Sequence, residues 1–267
     1  MDYVSAGDLE ICYELTGEGE ALVLIMGLTG SLDWWDPAFI SALERRFQVL
    51  AFDNRGSGRT RAPDEGEITC PQMAGDTARL MEALGIERGH VLGVSMGGMI
   101  AQELALNHPE KVDRLVLCAT NCGKSGSVFA TREVLKKLAE RTGTPETQVE
   151  NFCSLAFCEE WLESHTGEVK EFAERYLRSP ASDRNADRQF QATITFDACG
   201  RIPEIDRPTL VACGTDDMII PAENSRIIAR RIPGARLVEY EGAGHGFIWE
   251  RRDEFLRDLL EFLDQYW

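Results

Sequence analysis

A glycine-rich turn around Ser95 constrains the fold of this 267-residue chain more than any other segment. The stretch "LGVSMGGMIAQELAL" (92–106) places this serine between an apolar run and a helix-like segment, with Gly93, Gly97 and Gly98 around it. Glycines leave room for a strand and the following helix to approach closely, so that the serine side chain stands alone at the top of the turn. The bare G-x-S-x-G pattern often arises by chance, but its position between a strand and a helix predicts a reactive hydroxyl.

Short apolar runs elsewhere indicate the other strands of one sheet. Most of them are continuous rather than alternating in hydropathy, which is typical of strands that are buried on both faces. Because segments with helical spacing lie between many of the runs, the sequence predicts an α/β fold with a mostly parallel central sheet flanked by helices. The first segments, residues 3–15, are expected to form an antiparallel start to that sheet. The predicted strands are residues 21–27, 47–53, 90–94, 114–120, 209–214 and 235–242.

The strand–helix alternation stops between about residues 121 and 206. This stretch shows helical patterns without strands, and strands resume at Pro208. An insertion of this kind between two strands predicts a helical cap over one end of the sheet. We therefore expect residues 1–120 and 207–267 to form the core, and residues 121–206 to form the cap.

Charge and composition exclude several classes of partner. The chain has 45 acidic and 28 basic residues, for a net charge of −17. Such a surface repels phosphate backbones and anionic membranes, so neither nucleic acid nor a membrane is an expected partner. The N-terminus lacks the basic residues and apolar core of a signal peptide, and no apolar run approaches the roughly 20 residues of a membrane span. We expect a cytoplasmic protein that acts on a small molecule, and the sequence leaves a homodimer open.

The eight cysteines are scattered along the chain. They form no C-x-x-C pair, and no two histidines have zinc-binding spacing, so we expect neither a metal nor another cofactor. A chain of this size without a secretion signal is expected to keep its cysteines reduced.

A serine nucleophile needs a base, and the chain has four histidines. His245 lies in "EGAGHGF", a glycine-rich loop after the last predicted strand, and loops at the carboxyl ends of strands carry the sites of α/β sheets. We therefore predict His245 as the base. His90 is expected to pair locally, His108 to lie in a surface loop, and His165 to lie in the helical insertion.

The histidine in turn needs a carboxylate that fixes its tautomer. The loop "CGTDDMIIP", which follows the predicted strand 209–214, offers Asp216 and Asp217. Spacing alone does not choose between these two neighbours.

The order serine, aspartate, histidine, together with three further motifs, resembles the α/β-hydrolase superfamily over nearly the whole chain. "GxxDxxxP" at Gly214, Asp217 and Pro221 resembles the family's acid loop and favours Asp217. "GxGH", which ends at His245, resembles its histidine loop, and "FDNRGSGRT" (52–60) resembles a segment after an early strand. The resemblance implies that Ser95, Asp217 and His245 form a catalytic triad.

The resemblance also implies an oxyanion hole made of two backbone N–H groups. One would belong to Met96, directly after the serine, and the other to Leu28 in "MGLTG". Met26 stands where the family usually has histidine. Because the donors are backbone groups, this change leaves the hole intact but alters the hydrogen bonds that support it.

A serine hydrolase that cleaves a carboxylic ester, lactone or thioester through an acyl-enzyme is the activity that the resemblance implies. Relatives also cleave carbon–carbon bonds or open enol-lactones, and the triad alone does not separate these reactions. A ligand-binding receptor without turnover is the alternative from another class. Ser95 argues against dehalogenases and epoxide hydrolases, because these relatives have aspartate at the nucleophile.

The residues that would contact the substrate are less well determined by the sequence. Trp34 and Trp35 follow the oxyanion loop and are candidates for the substrate pocket, although packing of the next helix explains them equally well. Asp53 and Arg55 are interpreted as loop scaffolding. Aromatic residues with helical spacing in the insertion are expected to form the core of the cap, namely Phe152, Phe157 and Trp161. Two arginines facing the pocket would favour a carboxylate-bearing substrate, and the insertion offers Arg132, Arg141, Arg175, Arg178, Arg184 and Arg188.

Overall fold

A computed structural model of the chain describes residues 1–63, 66–140 and 142–264. Eight strands form one sheet in the order β1-β2-β4-β3-β5-β6-β7-β8. The β1–β2 and β2–β4 pairs are antiparallel, and every other pair is parallel. The strands are β1 (Asp2–Ala6), β2 (Leu9–Thr16), β3 (Glu20–Ile25), β4 (Phe47–Phe52), β5 (Gly89–Val94), β6 (Val112–Cys118), β7 (Thr209–Gly214) and β8 (Arg236–Tyr240).

The sheet confirms the predicted mostly parallel α/β fold with an antiparallel start. Each predicted strand is present, with ends that differ by at most two residues from the sequence pattern. Continuous apolar runs lie at the centre of the sheet, where Val23, Leu24 and Ile25 are fully buried. Burial of each such side chain contributes roughly 1.5–3 kcal/mol, which explains why these strands lack polar alternation.

Helices cover the sheet. The helix Cys70–Ala83 has Thr69 as its N-cap, whose hydroxyl accepts a hydrogen bond from the N–H of Gln72. None of the helices in the described ranges is long and apolar enough to cross a membrane. The helices before β6 and after β7 are α1 (Pro37–Leu43), α2 (Cys70–Ala83), α3 (Met96–Asn107), α9 (Glu223–Arg231), α10 (Phe247–Glu250) and α11 (Arg252–Asp264).

The segment between β6 and β7 is helical, as its sequence pattern indicates. The pattern around residues 147–162 is divided by a break at Phe157 into two helices rather than one. Arg141, which lies in the first helical pattern of this segment, and residues 265–267 lie outside the described residues. The division into a core and a cap at residues 121 and 206 stays a prediction. The helices are α4 (Arg132–Ala139), α5 (Pro145–Ala156), α6 (Glu159–Ser164), α7 (Thr166–Arg178) and α8 (Asp183–Thr195).

A disulfide joins Cys122 and Cys199, where the chain leaves β6 and returns towards β7. The expectation that all cysteines are reduced is therefore wrong for this pair. Sequence spacing could not reveal it, because the two cysteines are 77 residues apart and meet only where the ends of the helical segment run side by side. Hydrogen bonds from Ala198 N to Cys122 O (2.8 Å) and from Lys124 N to Phe196 O (2.9 Å) hold these ends together.

Candidate active site

Ser95 lies at the junction of β5 and α3, in a backbone conformation that residues other than glycine rarely adopt. Its φ of 58° and ψ of −120° lie outside the regions favoured by residues other than glycine. The turn is held by hydrogen bonds from Ser95 N to Cys118 O (2.9 Å) and from Thr120 Oγ1 to Ser95 O (2.8 Å). Strain of this kind is maintained only where the surroundings fix it, and it is concentrated at functional sites.

Close backbone contacts explain the glycines on both sides of this serine. A Cβ atom at Gly93 would collide with the backbone of Gly97, and a Cβ atom at Gly97 would collide with Ile25 O of the neighbouring strand. The predicted role of these glycines, which is to let the helix approach the sheet, is thus seen in the contacts. A third glycine that the sequence pattern did not single out, Gly27, faces Ser95, and a Cβ atom there would lie 3.6 Å from the serine Oγ.

His245 and Asp217 form a buried pair at the ends of β8 and β7. The distance between His245 Nδ1 and Asp217 Oδ2 is 2.7 Å, and the two side chains are 7% and 0% exposed. An ionised carboxylate only accepts hydrogen bonds, so Nδ1 carries the proton and Nε2 is left as the acceptor. The pair therefore presents a basic nitrogen to the space in front of the sheet.

The structure distinguishes the two aspartates that the sequence left open. Asp217 Oδ1 accepts hydrogen bonds from the N–H groups of Ile219 and Ile220, both at 2.8 Å, while Oδ2 faces the histidine. Asp216 is exposed and accepts a hydrogen bond from the Thr215 hydroxyl at 2.9 Å. Only Asp217 contacts His245, in agreement with the family motif.

The loop that carries the histidine is anchored by Glu250 and by the insertion. The carboxylate of Glu250 accepts hydrogen bonds from the N–H groups of Gly244 (3.1 Å) and Cys158 (3.1 Å), and burial raises the pKa of this carboxyl. Gly246 N donates to Ala156 O at 2.6 Å. The junction of α5 and α6 thus fixes the position of His245, a link that the sequence pattern did not indicate.

Ser95 and His245 line the same cavity, which has a volume of about 90 Å³. The hydrogen bonds of the described residues do not include one between the serine hydroxyl and His245 Nε2. Catalytic hydrogen bonds are often long in ligand-free enzymes and shorten when the substrate binds. The wall of the cavity comes from the oxyanion loop and from the helices of the insertion, including Trp34, Phe152, Leu155, Tyr176 and Trp249.

Leu28 and Met96 carry the two backbone N–H groups that the resemblance implies as oxyanion donors, a role that stays a prediction. Leu28 lines the cavity, and Met96 is the first residue of α3. Neither N–H has an acceptor among the hydrogen bonds of the described residues. Asn54 Nδ2 donates to Met26 O at 3.0 Å and supports the loop at the position where the family has histidine.

The two tryptophans after the oxyanion loop face different spaces. Trp34 lines the cavity and stacks on Tyr176 of α7, with 4.7 Å between the ring centroids. The prediction that Trp35 belongs to the substrate pocket is wrong. Its ring stacks on Phe39 and lines a separate cavity on the other side of the loop, because consecutive residues of this turn point in different directions.

The aromatic residues of the insertion divide between core and cavity. Phe157 and Trp161 are buried, as predicted, but Phe152 lines the cavity and packs against Trp34 at 5.2 Å between centroids. Among the described arginines of the insertion, none lines the cavity with Ser95. Arg175 is buried and lines the separate cavity, so the condition for a carboxylate-bearing substrate is not met by these arginines.

Asp53 and Arg55 support the loops beneath the site and do not line the cavity. Asp53 is fully buried and accepts hydrogen bonds from the N–H groups of Leu32 (2.7 Å) and Arg59 (2.6 Å), and burial raises its pKa. Arg55 pairs with Asp76 and Asp8, whose hydrogen bonds raise the pKa of the guanidinium above its usual value. These contacts agree with the interpretation of both residues as scaffolding.

Asp76 is expected to contribute far more to stability than Asp8, although both pair with Arg55. The side chains of Arg55 and Asp76 are 5% and 4% exposed, whereas Asp8 is 51% exposed. Removal of one partner of a buried pair costs about 3–5 kcal/mol, because the other charge stays buried, while exposed pairs contribute about 1 kcal/mol or less. We expect Asp76→Ala to lower the free energy of unfolding by about 3 kcal/mol and Asp8→Ala by less than about 1 kcal/mol. Urea unfolding followed by tryptophan fluorescence measures both, and equal losses would contradict this assignment.

Neither His90 nor His165 lines the cavity with Ser95. His90 lies at the start of β5 between Glu20 and Asp113, and burial lowers its pKa. His165 stacks on Trp161. In the described ranges, no cluster of three or more histidine, cysteine or acidic side chains could hold a metal ion.

A family model described as the alpha/beta hydrolase fold matches residues 20–252. The chain is 31% identical to the RutD protein of Azorhizobium caulinodans, to which carbamate hydrolysis is provisionally assigned, over 98% of each chain. It superposes on the enol-lactonase of Burkholderia xenovorans with a TM-score of 0.87 at 28% identity, covering 99% of this chain and 100% of that one. For a thermophilic esterase of Thermogutta terrifontis, the TM-score is 0.83 at 26% identity over 98% of each chain.

Proposed function

The chain belongs to the alpha/beta-hydrolase family, and from that premise we propose that it is a serine hydrolase that cleaves a carboxylic acyl bond through an acyl-enzyme. The observation that carries this proposal is the buried pair of His245 and Asp217, in which Nδ1 lies 2.7 Å from Oδ2. His245 lines the same cavity as Ser95, whose backbone is strained. The three groups follow the ends of three strands of one sheet, β5, β7 and β8, and lie far apart in sequence.

In the proposed first step, the hydroxyl of Ser95 attacks the carbonyl carbon and gives its proton to His245 Nε2. Asp217 holds the imidazole by Nδ1 and stabilises its charged form. The imidazolium then gives the proton to the leaving oxygen. Water attacks the acyl-enzyme in the second step, with His245 as the base, and the acid is released.

The N–H groups of Leu28 and Met96 are proposed to bind the oxyanion that forms in both steps. Both groups lack other acceptors in the described structure, and a charged oxygen at this place would accept from both. In other hydrolases, removal of one such donor lowers the rate by about 10²- to 10³-fold.

The cavity favours an ester or lactone with a small apolar acyl group, because much of its wall consists of aromatic and aliphatic side chains. The charged groups that line it are of both signs, namely Lys137, Glu140 and Asp183, so their charge does not select between neutral and anionic substrates. A thioester has the same acyl chemistry and is not distinguished by the wall. The likeness to an enol-lactonase supports lactone opening as well as ester cleavage.

A carbamate is the second candidate substrate. The relative from Azorhizobium caulinodans, which is matched over almost its full length, supports this class. A carbamate carbonyl would be attacked by the same serine and would pass through the same oxyanion hole, so the site requires no rearrangement. Cleavage of a carbon–carbon bond has no observation of this structure in its favour.

A ligand-binding receptor is disfavoured by the buried acid–imidazole pair. Removing a carboxylate and an imidazole from water costs free energy that a binding site for a neutral ligand does not need. We propose a small-molecule substrate and no nucleic-acid partner for this acidic chain. The cytoplasmic location stays a prediction, against which the Cys122–Cys199 disulfide counts, because cytosolic thiols are kept reduced.

A serine-directed probe tests the proposed function. We expect an aryl fluorophosphonate to label one site, on the peptide that contains Ser95, and ester hydrolysis to fall in proportion to labelling. Mass spectrometry of the labelled peptide and turnover of p-nitrophenyl acetate measure the two quantities. Hydrolysis that continues after complete labelling, or a folded protein that neither reacts nor turns over esters, would refute the serine mechanism.

The same assay separates the two substrate classes. The measurement is the turnover of p-nitrophenyl acetate and of p-nitrophenyl N-methylcarbamate, which have the same leaving group. An ester hydrolase is expected to turn over the acetate and to be slowly inactivated by the carbamate, because the carbamoyl-enzyme hydrolyses slowly. Sustained turnover of the carbamate with a higher kcat/KM than the acetate would favour the second candidate.

A further inference from the structure

A buried glutamine of the insertion, Gln189 in α8, contacts the oxyanion loop. Its side chain is fully buried and makes three hydrogen bonds to the core. Oε1 accepts from Thr29 N at 2.7 Å, and Nε2 donates to Arg55 O at 2.8 Å and to Ser57 Oγ at 2.9 Å.

The chemistry of these partners fixes the orientation of the amide. A backbone N–H such as that of Thr29 can only donate, and a backbone carbonyl such as that of Arg55 can only accept. A flipped amide would place NH₂ against the N–H of Thr29 and oxygen against the carbonyl of Arg55. Gln189 therefore fits its surroundings in one orientation, with both ends satisfied, and its donors and acceptor are not interchangeable.

The residue that Gln189 holds follows the proposed oxyanion donor directly. Thr29 has a φ of 60°, a left-handed conformation that is costly for a β-branched residue. Its peptide plane is restrained on both sides, because Thr29 N donates to Gln189 and Thr29 Oγ1 donates to Leu28 O at 2.7 Å. Gly30 N closes the turn by donating to Gly27 O at 3.1 Å. This geometry sets the direction in which the preceding residue, Leu28, presents its N–H.

The restraint from Gln189 is different in origin from the others in this loop. Asn54, which supports Met26 O, belongs to the loop after β4, whereas Gln189 comes from a helix and lies 160 residues after Thr29 in the chain. Oxyanion donors must be held within roughly 0.5 Å of their productive position. A strained turn meets that demand only if its surroundings over-determine it.

We propose that Gln189 is a positioning residue that holds the oxyanion loop in its active conformation and makes that conformation depend on the insertion. This inference rests on the proposed serine-hydrolase function. Gln189 itself does not line the cavity and is not expected to touch the substrate.

The variant Gln189→Met keeps the volume of the side chain and removes all three hydrogen bonds. We expect kcat for p-nitrophenyl acetate to fall by about 10- to 100-fold, somewhat less than for loss of an oxyanion donor, while KM stays within about 3-fold of the wild type. The reason is that the loop stabilises the charge of the transition state and contributes little to ground-state binding.

Affinity for a tetrahedral adduct distinguishes the two possible roles of Gln189, because a merely structural role would leave this affinity unchanged. A small alkyl trifluoromethyl ketone adds to Ser95 and places an oxyanion in the hole, whereas acetate, the product, does not. In Gln189→Met, we expect affinity for the ketone to fall by the same factor as kcat/KM and inhibition by acetate to stay within about 3-fold.

Three further variants serve as controls. Two replace other glutamines, and the third is a conservative substitution of Gln189. Gln191→Ala removes an exposed glutamine from the same helix, and Gln102→Met removes an equally buried glutamine that bonds to Gly98 O and Asn121 O. Both are expected to keep kcat within about 3-fold of the wild type, although Gln102→Met lowers the unfolding midpoint as Gln189→Met does. Gln189→Glu keeps an acceptor for Thr29 N and, as the neutral carboxylic acid, a donor for Arg55 O, so in that form it is expected to lose less than half as much in log kcat as Gln189→Met.

The outcomes separate this inference from the proposed function. If Ser95→Ala abolishes ester hydrolysis but folded Gln189→Met has wild-type kcat and ketone affinity, the positioning role is wrong and the serine mechanism stands. If Gln189→Met does not fold, Gln189→Glu decides, and a loss of kcat in this variant without loss of ketone affinity overturns the inference. Ester hydrolysis that persists in Ser95→Ala removes the proposed function on which the inference rests.

Discussion

Ser95→Ala is expected to lower kcat for ester hydrolysis by about 10⁴- to 10⁶-fold. The hydroxyl is the atom that would form the covalent intermediate, and alanine cannot replace it. Gly27 faces the serine, and the strained turn is held by backbone hydrogen bonds to Cys118 and from Thr120, so the fold should not depend on the hydroxyl. Loss of the nucleophile should leave only the slow reaction that the oxyanion hole and water can support.

Initial rates with p-nitrophenyl acetate and labelling by the fluorophosphonate measure this effect, with circular dichroism to show that the fold persists. Ser5→Ala, an exposed serine in β1, is the matched control and should keep the wild-type rate. A decrease of less than about 100-fold in Ser95→Ala would mean that another group attacks the carbonyl, and the acyl-enzyme mechanism would then be abandoned.

Asp217→Asn is expected to lower kcat by about 10³- to 10⁴-fold, and Asp216→Asn by less than 2-fold. In the structure, Asp217 Oδ1 accepts two backbone N–H groups, and an asparagine oxygen keeps these bonds. The amide nitrogen then faces His245 Nδ1 and donates to it. The imidazole must carry its proton on Nε2 instead, so it cannot accept the proton of Ser95.

These neighbouring aspartates provide an internal control, since the two substitutions are chemically identical and one residue apart. The free energy of unfolding of Asp217→Asn is expected to stay within about 1 kcal/mol of the wild type, because its backbone hydrogen bonds persist. Steady-state rates and urea unfolding measure both variants. Equal rate losses in Asp216→Asn and Asp217→Asn, or a loss confined to Asp216→Asn, would show that the buried pair is not part of the mechanism.

The sequence predicted the candidate catalytic residues better than the residues that line the cavity around them. Ser95 and His245 were predicted from local patterns, because a close strand–helix turn needs glycine and a loop at the end of a strand is exposed to substrate. The choice of Asp217 over Asp216 came from the resemblance and not from spacing. Consecutive side chains of a loop have no fixed period, which is also why Trp35 was wrongly assigned to the pocket while Trp34 faces it.

Residues that act across the boundary with the insertion had no local signal. Gln189 occupies an ordinary position in an amphipathic helix, and only the contacts with Thr29, Arg55 and Ser57 reveal it. The same holds for Phe152, whose helical spacing fits a core position equally well, and for the disulfide between Cys122 and Cys199.

The sequence by itself determined the mostly parallel sheet, the tight turn at Ser95 and the order of the candidate catalytic groups. Each of these depends on neighbours in the chain, through hydropathy, backbone sterics or turn chemistry, and such interactions act over a few residues. The tertiary structure decided which aspartate pairs with His245, which tryptophan faces the cavity, which arginines stay away from it and what holds the oxyanion loop. Those properties depend on side-chain directions and on contacts between segments as far apart as Thr29 and Gln189, and they exist only once the insertion has packed against the sheet.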